Sequence, residues 1–252
     1  MNWSILTQEL DRWAAAGRCA TLWLRDDDAC TRTPALDRLL QTCATHRIPV
    51  ALAAIPATLQ QDLVAAVADA PEVTVLQHGF SHANHAPAGA RSAELGADRP
   101  LPVIVDELEQ GRERLQQAFG ARWLPVLVPP WNRIAPAVVE RLPGAGFVGL
   151  STFAPRVAPL AAPGLARCNS HVDLVAWRRD RRFVGTDEAV AGIAAHLAAR
   201  RQGTCDAEEA TGVLAHHLQM DEDAWAFLDR LLPLTRAHPA ARWLAASAAF
   251  SR

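Results

Sequence analysis

Between residues 78 and 85 the chain carries three histidines, His78, His82 and His85. Neutral imidazole is a good ligand for transition metals. His78 and His82 are four residues apart, so a helical turn would put both rings on one side. Two such rings are half of a metal site and lack only a carboxylate, although a His-rich stretch also reads as a solvated polar loop. A second polar group is Arg25-Asp26-Asp27-Asp28. Three adjacent carboxylates repel one another unless a cation or an arginine lies close; the plainer reading is a turn with capping aspartates ahead of Thr33-Pro34. Further along come Pro129-Pro130-Trp131-Asn132-Arg133, His171 with Asp173, Trp177, and Leu214-Ala215-His216-His217. All 25 basic residues are arginine and there is no tyrosine. Schiff-base chemistry, a P-loop lysine and tyrosine acid catalysis are thereby excluded, and proton transfer falls to His, Asp, Glu or water activated by a metal.

These residues need elements to bring them together. Ala20–Leu24, Ile48–Ile55, Val73–Leu76, Trp123–Val128, Phe147–Leu150, Cys168–Trp177 and Gly212–Ala215 read as strands from their apolar runs. Leu36/Leu39/Leu40/Cys43, Leu59/Leu63/Val67, Ile104/Leu108/Gly111/Leu115/Phe119, Ala189–Ala199 and Trp225/Leu228/Leu232 mark helix faces between and after them. Residues 83–102, rich in Ala, Gly and Pro, read as a long surface loop of the kind that covers sites. Alternating strands and helices predict an α/β fold with a mainly parallel sheet, open or closed into a barrel. Six of the nine histidines and the acidic triplet fall just after predicted strands. In a parallel barrel all strand C-termini share one mouth, so these groups would converge there.

The 252 residues, 50% hydrophobic, suit one domain over 1–252: an N-terminal helix (1–18), a core (20–218) and a C-terminal helical part (219–252). A net charge of -2 gives no field for nucleic acid or anionic membrane. Five scattered cysteines without a CxxC pair fit a reducing compartment. With no signal pattern at the N-terminus and no run long enough to span a bilayer, the cytoplasm is expected. His85 and His171 read as loop or supporting residues, and His217 as facing away from His216. Arg178–Arg182 read as a solvated, ion-paired turn, with anionic-substrate binding the other possibility.

Taken together, these motifs resemble the polysaccharide deacetylase family, whose homology domain is named after the NodB chitooligosaccharide deacetylase. The resemblance covers roughly residues 20–218. It implies a distorted (β/α) barrel of about seven parallel strands, with a divalent metal, most commonly zinc, held by one Asp and two His. By that match Asp27, His78 and His82 hold the metal, Asp26 is the general base, Asp173 orients it, and His216 is the general acid. The extra Asp28 leaves this register open by one residue. Pro130, Trp131, Arg133, Trp177 and Leu214 would form the substrate groove. Val128 stands where the family has an arginine, for which Arg133 could substitute, and Gly79 stands where it has a hydroxyl residue. The implied function is a metal-dependent hydrolase of C–N amide bonds, an N-deacetylase of an acetylated sugar or glycan-like substrate. The alternatives are a non-catalytic glycan-binding barrel of the same fold and an O-deacetylase or esterase.

Overall fold

The computed structural model describes residues 3–251. Ten strands form one sheet: β1 (Ala20–Ala29), β2 (Val50–Ala54), β3 (Val73–His78), β4 (Trp123–Val128), β5 (Gly149–Leu150), β6 (Leu160–Ala162), β7 (Leu165–Arg167), β8 (Val172–Asp173), β9 (Thr211–Ala215) and β10 (Ala241–Trp243). Their order is β6-β7-β5-β4-β3-β2-β1-β9-β8, with β10 beside the start of β1, and every pairing except β6–β7 is parallel. The helices are α1 (Ser4–Ala15), α2 (Pro34–His46), α3 (Gln61–Ala68), α4 (Leu101–Phe119), α5 (Pro136–Arg141), α6 (Thr186–Gln202), α7 (Glu222–Ala237) and α8 (Ala246–Ala249).

The segment from β7 to β8 closes the sheet on itself. Cys168 N donates to Leu150 O and Ser170 N to Thr152 O, on the β5 side. His171 N then donates to Gly212 O and Leu174 N to Leu214 O, on the β9 side. One extended stretch thus has two successive partners. Around the ring lie β1, β2, β3, β4, β5, the β7–β8 stretch and β9, the distorted α/β barrel that was expected.

Side chains alternate across this wall as the pleat requires. Trp23, Ala51, Ala53, Leu76, Val126 and Val128 fill the interior, and Leu22, Leu24, Leu52, Val75 and Val213 face the helices. All of β2 is buried, because both its faces are covered, which is why it reads as an unbroken apolar run. Thr33 caps α2 by accepting from Leu36 N at 3.1 Å, with Pro34 opening the helix.

Three elements depart from the sequence reading. The Pro/Ala stretch before residue 165 contains the short β6 strand of a hairpin with β7. The C-terminal part is not wholly helical: β10 joins β1 in parallel. Residues 83–100 form the expected long loop, but Glu94 and Leu95 within it are buried.

Candidate active site

At the C-terminal end of the barrel strands lies a cavity of about 800 Å³. Its walls include Asp27, Asp28, His78, His82, Trp131, Arg133, Asp173, Trp177 and His216. Alternation along β1 puts Arg25 and Asp27 inside the barrel and Asp26 outside. By the same rule Asp28 would point outward. A register shift between Asp26 and Ala29, with Asp28 at φ 72°, breaks the pleat and turns Asp28 back into the mouth.

Asp28, and not Asp27, is therefore the carboxylate that meets the two histidines. Its Oδ1 lies 3.1 Å from His78 Nε2 and 3.3 Å from His82 Nε2. His78 Nδ1 donates to Val128 O at 3.0 Å, which fixes the tautomer and leaves Nε2 as a lone pair unless the ring is protonated. Asp28 Oδ1 is buried without an aligned hydrogen-bond donor. A lone pair facing a carboxylate oxygen needs a proton or a cation between them. Donor atoms around a tetrahedral centre with bonds of about 2.1 Å stand about 3.4 Å apart, close to the spacing here. Two imidazoles and one carboxylate thus fit a divalent metal of the zinc type.

Burial works against a charged His78, but Asp27 and Asp28 outweigh it and hold its pKa above the ordinary value. Burial would likewise raise Asp28, yet its bond to His78 and the nearby imidazoles keep it well below the usual carboxylate range. Burial and the charge on His78 push His82 down.

Asp27 has a different partner. Arg25, wholly buried, places Nη2 3.0 Å from Asp27 Oδ2 and Nε 2.9 Å from Oδ1 as an ion pair. Its remaining N–H groups donate to Ser151 Oγ at 2.7 Å, Asn132 Oδ1 at 2.8 Å and Thr152 O at 3.3 Å. Arg25, and not Arg133, is the arginine paired with Asp27. Arg133 instead donates to Ser92 O at 2.6 Å and tethers the 83–100 loop. An apolar strand pattern gives no hint that one arginine inside the barrel will neutralise a carboxylate at its mouth.

Asp26, expected as the base, does not reach the cavity. It is fully buried on the helix side, where His217 N donates to Oδ1 at 2.8 Å and His217 Nδ1 lies 2.6 Å from Oδ2. Burial lowers the His217 pKa, but Asp26 more than reverses this and it stands above the ordinary value. His217 thus faces away from His216, as alternation anticipates.

His216 lies on the cavity wall with Nδ1 3.6 Å from Asp173 Oδ1 and its ring edge-on to Trp177, centroids 4.8 Å apart. Asp173 Oδ2 accepts from Trp177 Nε1 at 2.9 Å and Oδ1 from Val175 N at 2.9 Å. Burial raises the Asp173 pKa against the pull of His216. Asp173 thus lies beside His216 and not beside Asp26, whose partner is His217. Trp131 and Trp177 line the cavity. Pro130 and Leu214 do not: both are buried, and Pro130 packs beneath Gly79. His85 is exposed on the loop.

Two supports were not foreseen. Glu94, fully buried, accepts from Phe80 N, Ser81 N and Ser81 Oγ, holding the turn that presents His82. A Cβ on Gly79 would lie 1.9 Å from Glu94 Oε2, and Gly79 has φ 55°. The glycine therefore admits the carboxylate under the turn. Four of the seven non-glycine residues with positive φ, namely Asp28, His82, Trp131 and Asn132, line the cavity. Left-handed backbone at such residues costs about 1–3 kcal/mol each and gathers at functional sites.

His171, His196 and Glu209 form another group with metal-ligating atoms. It does not suit a cation. Gly212 N donates to His171 Nδ1 at 2.9 Å, so the ring proton sits on Nε2 and points to Glu209 at 3.2 Å. The Arg200 charge also bears on His196, whose pKa burial drives down to about 2 with help from His171 and Arg200.

No family profile and no curated protein matches the sequence. Solved structures share the fold at low identity. A family 4 carbohydrate esterase from Streptomyces lividans, in complex with acetate, is 15% identical with a TM-score of 0.58, over 88% of this chain and 91% of its own. A peptidoglycan N-acetylglucosamine deacetylase bound to 4-naphthalen-1-yl-N-oxidanyl-benzamide is 14% identical with a TM-score of 0.61, over 94% and 95%. A pseudoenzyme of the same esterase family from Bacillus anthracis is 13% identical with a TM-score of 0.61, over 93% and 66%. The architecture is that of the polysaccharide deacetylases.

Proposed function

We propose that the protein is a metal-dependent deacetylase, hydrolysing the acyl amide of a sugar derivative. The observation that carries this reading is the convergence of Asp28, His78 and His82 beside Asp27 and His216 on one cavity wall. Asp28, His78 and His82 would hold the metal, which when bound supplies Lewis acidity towards water and an acyl carbonyl.

The chain's own groups do the rest. Asp27, ion-paired with Arg25, takes a proton from the attacking water. His216, with Nδ1 turned to Asp173, hands a proton from Nε2 to the departing nitrogen as the C–N bond breaks. Trp131 and Trp177 offer flat faces for a sugar ring. A reducing, cytoplasmic setting is part of this reading, to which five scattered cysteines without a CxxC pair are suited.

The neighbours' names favour keeping a second reading, because they include an acetyl xylan esterase from Clostridium thermocellum with a cobalt ion and the Bacillus anthracis pseudoenzyme. An ester substrate would use the same groups. The test is metal analysis with acetate release from N- and O-acetylated sugars. Wild type should carry about one divalent ion and release acetate, and His82→Ala and Asp28→Ala should lose both. Asp27→Asn should keep the metal and lose about 10²–10⁴ in rate. Full metal content in Asp28→Ala, or full activity in Asp27→Asn, would overturn the assignment.

A further inference from the structure

The charged groups of the cavity nearly all have partners. Arg25 answers Asp27, and His216 answers Asp173. Arg179 answers Glu188, with Nη2 3.0 Å from Oε2. Asp28 faces His78 and His82. Two cations are left over. Among the described residues the Arg133 side chain has one hydrogen bond, to the Ser92 carbonyl, and no carboxylate. Arg178 is exposed on the same cavity wall, and among the described residues it makes no hydrogen bond or ion pair. Of the 178–182 run, only Arg179 behaves as the ion-paired turn that was expected.

Arg133 follows β4 and Arg178 follows β8, so two unpaired guanidinium groups reach the cavity from separate strand ends. A third, Arg91, sits exposed on the loop that Arg133 tethers. Burial lowers the Arg133 pKa first, and the nearby charges of Arg91 and Arg178 lower it further. None of the three is ion-paired among the described residues, so an anion entering the cavity would meet their charge unanswered. Guanidinium forks match oxyanions bidentately, and a phosphate carries about -1.5 to -2 at neutral pH. A carboxylate would leave part of that charge unanswered.

We propose that Arg133 and Arg178 form a phosphate subsite, so that the substrate is an acylated sugar bearing a phosphoryl ester, as a sugar phosphate or a sugar diphosphate. This rests on the deacetylase reading for the acyl sugar but not for the anion. The phosphoryl group would lie at the arginine wall while the sugar ring lies between Trp131 and Trp177.

Equilibrium binding to the full chain tests this without turnover, read from the fluorescence of the cavity tryptophans or by calorimetry. The ligands are N-acetylglucosamine, its 1-phosphate, UDP-N-acetylglucosamine and N-acetylmuramic acid. The 1-phosphate should bind at least about tenfold more tightly than the neutral sugar, and raised salt should erode that preference. Arg178→Gln, exposed and free of bonds, should fold normally and lose most of it, and Arg133→Gln should lose it as well. Binding of N-acetylglucosamine should stay within about twofold in Arg178→Gln. Tighter binding of the UDP sugar than of the 1-phosphate would mark a diphosphate as the ligand, and the reverse a monophosphate.

Equal affinity for charged and neutral sugars would overturn the proposal. So would phosphate binding that survives Arg178→Gln but vanishes in His82→Ala, since the anion would then sit on the metal cluster. Preferential binding of N-acetylmuramic acid would replace phosphate with carboxylate. Acetate release with no preference for phosphate would sink this subsite alone. Arginine-dependent phosphate binding with no release of any acyl group would sink the deacetylase reading alone.

Discussion

Removing His217 separates a structural aspartate from the two beside it. Asp26 is wholly buried, and the side chain of His217 is 1% exposed. Breaking a buried ion pair from one side costs about 3–5 kcal/mol, because the remaining charge has no counterion. In His217→Ala the carboxylate keeps one of its two bonds, the 2.8 Å contact from the backbone N–H of residue 217, so the cost falls at the low end, about 3 kcal/mol. For a chain of this size that is a fall in Tm of about 6–12 °C. Replacing both groups with leucine removes the stranded charge and should cost less than His217→Ala alone. The pH dependence has a definite sign. The pKa of His217 is raised in the folded protein, so its contribution is fully present below the unfolded value of about 6.5 and fades as pH rises through the folded value. Thermal unfolding of wild type and both variants between pH 5.5 and 9 would show the penalty of His217→Ala largest at the acid end. A fall of under about 2 °C, or a penalty that grows with pH, would refute the buried charged pair. Metal content should stay unchanged, because Asp26 faces the helices.

Arg25→Leu should lower stability by about 3–5 kcal/mol and abolish activity, because Asp27 is left buried without its counterion; denaturant unfolding and acetate release measure the two. Arg25→Lys should not restore activity, since a single ammonium cannot hold Asp27, Ser151, Asn132 and Thr152 in one plane; recovery to near wild-type rate would contradict that role. Gly79→Ala meets both a strained φ and the Glu94 carboxylate, so it should weaken metal binding by tenfold or more in a chelator competition and lower the Tm. An unchanged metal affinity would mean that the Glu94 turn does not set the position of His82.

The parallel strands and the mouth of the barrel were legible because β1, β3 and β9 are apolar runs ending in polar residues. His78, His82 and His216 could be placed for that reason. Which aspartate meets the two histidines was not. Strict alternation allows only one of two adjacent carboxylates into the mouth, and the break that admits the second is a bulge with Asp28 in a left-handed conformation. An aspartate tolerates that backbone without advertising it, as a glycine would. Arg25 stayed hidden because a charged residue next to Leu24 looks like the end of a strand, when it is still inside the barrel. Glu94 sits in a loop whose composition marks only exposure. β10 was missed because three residues, with Arg242 exposed between Ala241 and Trp243, carry no period.

Between Leu165 and Leu174 the chain changes partners: β7 lies between β5 and β6, and β8 lies against β9. Asp173 and the Trp177 turn hang from the far end of this stretch, while Asp28, His78 and His82 stand at the ends of β1 and β3. A substitution in the Trp177 turn would therefore reshape the cavity wall from a strand that carries none of Asp28, His78 and His82, and neither group need change with the other.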